Sequence, residues 1–303
     1  MDYNRIYRLT VTPVDVNGNV RGDSIVITSP LTIRFDVKRM PFAGSNQATI
    51  DIYNLNPTTR DRMFLDYYDF ENIRKVELEA GYEDGKFDLI YRGRINICTM
   101  KKAGVDVITH IEAISGLSVL DSMLNVSLKQ GETLKDSMGR VVDRIPGTEP
   151  GVTKFEDFTF TRPVALMGNA LAVLKTYTKE NCFIDLDTIV VIDKDEVITG
   201  DVRVIDDETG LLGVPERQRT SVTVNCIFDP RIKVGQGLEI NSRIAPQFNG
   251  QYKVWGVSHS GVIGETQGGQ CITTIQLWTG LNLFGRYKSS WEKVTKLHSE
   301  GVL

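Results

Sequence analysis

The N-terminal part of the chain alternates apolar and polar residues with a period of two. Ile33, Phe35 and Val37 are separated from one another by a charged residue, and the same spacing recurs over residues 48–52 and 76–80. This period is typical of β-strands that bury one face and leave the other wet or packed against a partner. The pattern therefore predicts a series of strands with one apolar face each.

Turn signals join these strands into an antiparallel arrangement. Residues 83–86 and 101–104 combine glycine with charge at the length of a hairpin connection, which predicts three consecutive antiparallel strands. One short helix is predicted after Asn56, a favourable N-cap, with Pro57 at the first helical position. We therefore expect residues 1–115 to form a first domain, a twisted antiparallel sheet that closes into a β-barrel.

The pattern changes in residues 116–206, where strand and helix signals mix. Residues 123–128 predict a strand, residues 131–145 predict a helix, and the Gly- and Pro-rich residues 148–154 predict an exposed loop. We expect a smaller α+β domain here.

Pro163 precedes the strongest helical periodicity in the chain. The apolar residues Leu166, Ala170, Leu171 and Leu174 follow it at the spacing of one helix face, so a helix is predicted to begin at Pro163. Three short strands are then predicted, at residues 182–186, 189–192 and 202–205.

The two-residue alternation returns after residue 206. Residues 210–215 predict a glycine-rich joint, and Val222 begins an alternating run that ends at Asp229. We expect residues 207–285 to form a second antiparallel β-barrel domain and residues 286–303 to form a C-terminal tail. The fold class predicted is thus mainly β, with two barrels flanking a middle α+β domain.

Composition and charge limit the classes of function. The chain has 303 residues, 41% of them hydrophobic and 24% charged, which suits a protein with a buried core. Its formal net charge of -4 argues against a nucleic-acid binder held by bulk charge. No apolar run approaches the length that crosses a bilayer, and the N-terminus has no apolar signal core, so we expect a protein made in a cytoplasm that does not enter a membrane.

Cysteine and histidine usage suggests little chemistry. The four cysteines are far apart in sequence, which favours buried free thiols over a zinc site or a disulfide framework. Asp106, His110 and Glu112 share one face of a predicted strand and form a minimal carboxylate–histidine group, although a solvated strand face gives the same pattern. His259 lies between two serines whose side chains point to the opposite face of the strand, so it forms no dyad with them. We expect no enzyme activity, no cofactor and no metal.

Several short sequence segments, taken in their order, resemble segments of the baseplate hub proteins of contractile-tailed bacteriophages. These proteins are related to the hub portion of type VI secretion spikes. The segments are PLTIRFDV (30–37), ATIDIYNL (48–55) running into a helix, AGY (80–82), IYRGRI (90–95), TGLLGVP (209–215), FDP (228–230), VG (234–235) and NGQYKV (249–254).

The resemblance implies a structural protein of the virion tail baseplate. Such hubs are homotrimers in which each chain contributes two tail-tube-like β domains to a pseudo-sixfold ring, which joins the hexameric tail tube to the trimeric spike. The implied partners are the spike protein, the tail tube protein, the tape measure protein and baseplate wedge proteins, with DNA only passing through the lumen and assembly in the host cytoplasm. One alternative is a cell-wall hydrolase or other tail enzyme that uses Asp106, His110 and Glu112 or the acidic turns. The other is another tail tube or adaptor protein.

Assembly through exposed sheet faces suggests which residues form the interfaces. Polar faces of strands become contact surfaces when subunits pack side by side. The candidate interface residues are Arg34, Asp36 and Lys38 on one strand, with Trp291 and Leu297 in the tail.

Overall fold

The computed structural model describes residues 4–40, 45–65, 72–83, 87–193, 196–218, 221–265 and 268–278. The described part of residues 1–115 contains seven strands and one helix. Its elements are β1 (Arg5–Val14), β2 (Ile25–Thr28), β3 (Ile33–Arg39), β4 (Gln47–Tyr53), α1 (Pro57–Met63), β5 (Ile73–Tyr82), β6 (Asp88–Ala103) and β7 (Asp106–Ile114).

The middle of the chain mixes helices with short strands. Its elements are α2 (Leu117–Asp121), β8 (Met123–Leu128), α3 (Leu134–Val142), β9 (Glu149–Lys154), β10 (Val164–Asn169), α4 (Ala170–Tyr177), β11 (Cys182–Asp185) and β12 (Thr188–Ile192).

The regular elements in the remainder of the described chain are six strands and one 3-10 helix. Its elements are β13 (Ile198–Asp206), β14 (Leu211–Arg217), β15 (Ser221–Ile227), β16 (Gln236–Asn241), a 3-10 helix at Pro246–Phe248, β17 (Gly250–Ile263) and β18 (Ile272–Trp278).

The mainly β prediction is confirmed, but the prediction of two closed barrels is wrong. Thirteen strands form one sheet in the order β14-β15-β18-β17-β3-β4-β7-β6-β5-β1-β2, with β16 paired to β17 and β13 paired to β16. The cause is the length of β17. Its first residues pair with β16, and residues from Val257 to Ile263 pair with β3, so one strand continues the sheet across both β regions.

The alternation in the N-terminal region has the predicted structural result. Ile33, Phe35 and Val37 are buried on the inner face of β3, and the three strands β5, β6 and β7 pair antiparallel in sequence. The predicted start of the helix is also confirmed, because the Asn56 side chain accepts a hydrogen bond from the backbone N–H of Thr58 at 2.9 Å.

The hydrophobic interior consists of three clusters. The first lies under β1–β7 and includes Phe228 from the C-terminal region, and the second fills the middle of the chain. The third lies under β13–β18 and also contains Phe183, Val190 and Ile192 from the β11–β12 hairpin. The opposite side of that hairpin, including Ile184, belongs to the second cluster. The hairpin is therefore packed between two cores.

The helix predicted from Pro163 is wrong in its first half. Residues Val164–Asn169 form β10, which pairs antiparallel with β8, and α4 begins only at Ala170. Asn169 caps it by accepting a hydrogen bond from the backbone N–H of Ala172 at 3.1 Å. Leu166 is buried in this strand, as it would be expected to be on the apolar face of a helix, so its spacing to Ala170 could not distinguish the two.

Two segments predicted as irregular are strands. Glu149–Lys154 forms β9 and pairs parallel with β12, although it is rich in Gly and Pro. The predicted joint at residues 210–215 lies mostly in β14, whose pairing with β15 is interrupted between Leu212 and Glu216, where Gly213 has a φ of 71°. Tertiary pairing outweighs the local turn preference in both cases.

All four cysteines are free and buried, as predicted. Burial raises the pKa of the Cys98 thiol to about 11, and it raises the pKa of Cys182 and of Cys226 to about 12. These thiols are therefore protonated near neutral pH and pack as small apolar side chains.

A glycine in β17 allows the sheet to pack closely, which gives a testable expectation. A Cβ atom at Gly261 would lie 2.8 Å from the Cβ and 2.9 Å from the Cα of Cys271. We expect Gly261→Ala to lower the free energy of unfolding by about 1–3 kcal/mol through overpacking. The matched control is Gly139→Ala in α3, where a Cβ meets nothing within 4 Å. That change should raise stability by about 0.5–1 kcal/mol. Urea unfolding of both variants measures the two effects, and equal effects would contradict the packing argument.

Candidate functional site

The predicted interface residues of β3 lie together on the outer face of the sheet. Arg34, Asp36 and Lys38 are exposed, while the residues between them point into the first core. Lys38 Nζ lies 3.6 Å from Asp36 Oδ2. Trp291 and Leu297 lie outside the described residues. The structure thus brings three of the five residues together on one surface.

Strand register extends this surface across two more strands. Arg34 lies directly opposite Asp51 on β4, and Asp51 lies opposite His110 on β7. In a neighbouring row, Asp36 and Glu112 flank the same position of β4. The polar face is defined here as Arg34, Asp36, Lys38, Asp51, Lys101, His110 and Glu112.

His110 lies between two carboxylates on the polar face. Its Nδ1 is 2.6 Å from Asp51 Oδ1, and its Nε2 is 3.3 Å from Glu112 Oε1. Lys101 Nζ is 3.8 Å from the same Asp51 oxygen. Asp106 does not join this group, because it accepts a hydrogen bond from the Asn54 side chain at 2.8 Å.

The sequence grouping of Asp106, His110 and Glu112 is therefore right for two residues and lacks Asp51. Asp51 was on the polar side of a predicted strand, but only the register of β4 against β7 places it beside His110. Among the residues that the structure describes, no group of three or more His, Cys, Asp and Glu residues could hold a metal ion.

The polar face carries balanced charge. It combines three basic side chains, Arg34, Lys38 and Lys101, with three carboxylates, Asp36, Asp51 and Glu112. Interspersed charges of both signs give little net attraction for a polyanion and favour specific contacts with a surface of complementary pattern. The arrangement suits a protein–protein contact better than nucleic-acid binding.

Directly beside this face, Arg39 points inward and forms a buried ion pair. Its Nε donates to Asp185 Oδ1 at 2.9 Å and its Nη2 donates to Asp185 Oδ2 at 2.6 Å. The Asn46 side chain also donates to Asp185 Oδ1, at 3.1 Å. Arg39 is 1% exposed and Asp185 is 8% exposed. This cluster joins the end of β3 to the β11–β12 hairpin, and no local sequence pattern predicts it, because Asp185 lies 146 residues from Arg39.

The tip of the same hairpin contacts the chain at the boundary between residues 1–115 and residues 116–206. Leu186 and Asp187 have φ values of 53° and 57°, as a tight two-residue turn requires. Asp187 Oδ1 accepts from the Ser115 hydroxyl at 3.0 Å and from the Gly116 backbone N–H at 2.8 Å. Burial raises the pKa of Asp187, and the two hydrogen bonds oppose that rise.

The FDP segment connects the C-terminal region to the first core. The Phe228 ring lies 6.0 Å from the ring of Phe35, 6.3 Å from that of Tyr82 and 5.6 Å from that of His259, measured between centroids. The Tyr82 hydroxyl donates to the Phe228 carbonyl at 2.7 Å. The backbone N–H of Asp229 donates to Thr273 Oγ1 at 2.9 Å. Residues 228–230 therefore contact both the N-terminal and the C-terminal β regions.

His259 is fully buried beside this contact and gives a pH-dependent expectation. Burial, and then the nearby charge of Arg39, lower the pKa of His259 to about 3. The unfolded chain binds a proton at His259 below about pH 6.5, whereas the folded chain does not, so stability falls as pH decreases from 7. Between pH 7 and pH 5 we expect the wild type to lose about 2 kcal/mol more stability than His259→Asn, which has no titrating group there. Urea titrations at both pH values measure this difference, and parallel losses would contradict it.

Among the described residues, no helix is long and apolar enough to span a membrane.

Comparison with known families gives one match that covers most of the chain. A family model described as baseplate hub gp41 matches residues 11–260. No curated protein sequence matches the chain.

Several solved structures have a similar fold, and their alignments extend over nearly the whole chain at low sequence identity. A tail protein from Neisseria meningitidis MC58 has a TM-score of 0.59 at 11% identity, with 91% of this chain and 97% of that chain covered. The prophage MuSo2 43 kDa tail protein from Shewanella oneidensis has a TM-score of 0.56 at 6% identity, with 89% and 96% covered. A chain of the Francisella PdpA-VgrG complex has a TM-score of 0.53 at 8% identity, with 91% of this chain and 53% of that chain covered. At these identities the likeness concerns the fold.

Proposed function

The chain belongs to the baseplate hub gp41 family, and from this membership we propose that it is a structural hub of a phage tail. In this role it forms a homotrimer whose ring joins the hexameric tail tube to the trimeric spike. The observation that carries the proposal is the family match over residues 11–260, on a fold similar to that of phage tail proteins.

Each chain contributes two tube-like β regions to the ring. We assign these to residues 1–115 and 207–285, with residues 116–206 outside or below the ring and residues 286–303 as a tail. The single sheet that continues from one β region to the other through β17 supports this assignment, because it joins both regions through backbone hydrogen bonds.

Contacts in the assembly use polar surfaces and not a catalytic centre. The polar face offers balanced charges to a neighbouring subunit, to the tail tube protein or to the spike protein. The tape measure and wedge proteins are further partners of a hub, and DNA passes through the lumen without a specific site on this chain. Assembly takes place in the host cytoplasm before the tail is complete.

Light scattering after gel filtration tests the trimer. We expect three copies of the 33.9 kDa chain in one particle, either for the chain alone or in a complex with its spike protein, whose own mass then adds to the total. Electron microscopy of that particle should show a pseudo-sixfold ring with an open centre. A monomer in both conditions would contradict the proposal.

The hydrolase alternative makes a different prediction about His110. If the protein is structural, neither the wild type nor His110→Ala degrades cell wall. A cell-wall-degrading activity of the wild type that disappears in His110→Ala would favour the enzyme. The third possibility is that the chain is another tail tube or adaptor protein. A chain that forms hexameric rings or tubes and does not bind the spike protein would favour it.

The tail is proposed as a docking segment, with Trp291 and Leu297 as its apolar contacts. We expect a chain that stops after Gly285 to keep its fold but bind the spike or a neighbouring hub chain more weakly. Thermal unfolding and spike co-purification measure the two properties separately. Full-strength assembly from the shortened chain would show that the tail does not dock.

A further inference from the structure

The two β regions of the chain repeat one order of strands. Within the sheet, the first region has the order β3-β4-β7-β6-β5-β1, and the second has the order β14-β15-β18-β17-β16-β13. Matching these orders strand by strand also preserves the order of the strands along the chain. The match includes strand direction for all but the last pair, since β1 is antiparallel to β5 whereas β13 is parallel to β16. The regions are therefore two copies of one strand arrangement.

A bulge at the same place in both copies makes the match exact to the residue. Each of β6 and β17 has one extra residue opposite its hairpin partner, Asn96 in β6 and Trp255 in β17. Two residues before each bulge, pairing to the preceding strand ends. Arg94 is the last residue of β6 that pairs with β5, and Lys253 is the last residue of β17 that pairs with β16. Residues after the two bulges can therefore be matched by counting.

Beyond the bulge, the two copies differ in what lies beside the long strand. In β17, residues from Val257 to Ile263 pair with β3 of the first region. The matching residues of β6 pair with no strand on that side in the described part of the chain, and only Cys98 forms a bridge there, to Leu65. The counterpart of β3 is β14, which ends the sheet and pairs with β15 alone. The edges that meet as β17 and β3 are therefore open as β6 and β14.

We propose that β6 of one chain pairs antiparallel with β14 of the next chain around the ring, an inference that rests on the trimeric hub proposed above. Pairing of β17 with β3 within each chain then alternates with pairing of β6 with β14 between chains. Such a contact joins unlike edges head to tail, which is the kind of contact that closes into a ring. The partner that fits both open edges is a second copy of this chain.

The observed pairing of β17 with β3 predicts which residues meet between chains. Ser260 lies opposite Asp36. Counting from the bulges makes Lys101 the counterpart of Ser260, and the matched hairpins β3–β4 and β14–β15 make Glu216 the counterpart of Asp36. Lys101 of one chain therefore lies opposite Glu216 of the next. Both side chains are exposed, and opposite charges that face each other across two strands attract.

The backbone hydrogen bonds at both edges agree with this register. Cys98 exchanges two backbone hydrogen bonds with Leu65, each of 3.1 Å, so its N–H and C=O point away from β7. These groups alternate in direction along a strand, so those of Met100 point the same way. In β14, the Gln218 N–H donates to the first residue of β15 at 2.8 Å, so the groups of Arg217 point away from β15. The proposed register places Met100 opposite Arg217, and both direct their backbone groups toward the open edge.

The exposure of Met100 also favours a partner at this edge. Its side chain lies on the same side of β6 as that of Cys98, which is buried, yet Met100 is 41% exposed. His259, the counterpart of Met100 in β17, lies beside β3 and is 0% exposed. Pairing with the next chain would cover Met100 as β3 covers His259.

One difference between β14 and β3 limits the length of the contact. Residues 213–215 form a bulge in β14 where β3 has the single residue Phe35. We therefore expect continuous pairing between residues 99–101 of one chain and residues 216–218 of the next. Bulges and prolines at a sheet edge discourage the addition of unrelated strands, so this edge selects a short partner.

Paired cysteines in the full chain test the register. Lys101 and Glu216 would occupy a position without backbone hydrogen bonds, where facing residues of antiparallel strands are close enough for a disulfide. We expect the double variant Lys101→Cys with Glu216→Cys, oxidised as the trimer, to give covalent dimers and trimers on a non-reducing gel. The four native cysteines are buried and free, so each single variant should give far less of these products.

Two further pairs control for geometry and for chance contact. Asp36→Cys with Ser260→Cys joins residues that lie opposite each other within the chain, so it should form a disulfide without linking chains. Lys101→Cys with Asp36→Cys keeps one cysteine and moves the other to the counterpart of Glu216 on β3, whose edge β17 already occupies. This pair should link no chains.

A backbone variant tests the hydrogen bond itself. Arg217→Pro removes the N–H that points to the open edge and leaves the bonds between β14 and β15 in place. We expect it to weaken association of the chains by about tenfold, as the loss of one backbone hydrogen bond does. Arg217→Ala keeps the N–H and should weaken association much less. Equal association of the Pro and Ala variants would contradict the pairing.

Light scattering of the cysteine variants separates this inference from the hub proposal. A trimer in which Lys101→Cys with Glu216→Cys links no chains, while the control within the chain oxidises, overturns the pairing of β6 with β14 and leaves the hub in place. A chain that stays monomeric alone and with the spike protein contradicts both proposals.

Discussion

Replacing Arg39 with Met will lower the free energy of unfolding by about 3–5 kcal/mol, because it leaves the buried Asp185 carboxylate without its charged partner. The pair is almost fully buried and bidentate, with N–O distances of 2.9 Å and 2.6 Å. Once the guanidinium is removed, the hydrogen bond from Asn46 at 3.1 Å is the only one that the described residues still give to the buried Asp185 carboxylate. Urea unfolding at pH 7 measures the loss.

The preceding residue provides a matched control. Lys38 is exposed and its ion pair with Asp36, at 3.6 Å, is on the outer face of the same strand. We expect Lys38→Met to change stability by less than about 1 kcal/mol, as exposed ion pairs usually do. A double variant, Arg39→Met with Asp185→Leu, should recover much of the loss because no unpaired charge remains. Equal losses for Arg39→Met and Lys38→Met would contradict the buried ion pair.

Phe228→Ala will have an effect of similar size, about 3–5 kcal/mol, because it opens a cavity where two regions of the chain meet. Phe228 is 2% exposed and its ring contacts Phe35, Tyr82 and His259. Those partners come from both β regions, so the cavity cannot close by the movement of a single loop. Chemical unfolding followed by tryptophan fluorescence measures the change.

The control for Phe228 is an exposed residue of the same type. Phe64 is 44% exposed at the end of α1, and Phe64→Ala should cost less than about 1 kcal/mol. Phe228→Leu keeps most of the volume and should cost less than Phe228→Ala. If the Ala and Leu variants of Phe228 were equally stable, the ring would not fill the space between the two regions.

Local sequence patterns predicted the elements correctly where the pattern of short-range residues and the tertiary pairing favour the same structure. The run from Ile33 to Val37 showed which side of β3 is apolar, and Asn56 with Pro57 identified the start of α1. The same rules failed at Pro163, because Leu166 and Ala170 satisfy a helical spacing while β8 pairs with the segment as a strand. They failed again for Glu149–Lys154, where turn-forming residues lie in a strand that β12 pairs with.

In the candidate site, too, some residues could be assigned from the sequence and others only from the strand pairing. Arg34, Asp36 and Lys38 could be assigned to an outer face from their period alone, and the structure places all three there. Asp51 could not be assigned beside His110, because that contact depends on the register between β4 and β7. Residues that meet across strands are fixed by pairing, which a single strand does not encode.

Neighbours within a few residues suffice to predict the mainly β class, the apolar face of most strands and the position of the first helix cap. Packing between distant segments, in contrast, makes β17 continue one sheet through both β regions and places Arg39 beside a carboxylate 146 residues away. The two-residue period that places Lys38 on the outer face also places Arg39 on the inner face. It does not predict which residue pairs with Arg39. Such partners are determined by the packing of distant segments, since a buried charge is stable only where another part of the chain supplies its counterion.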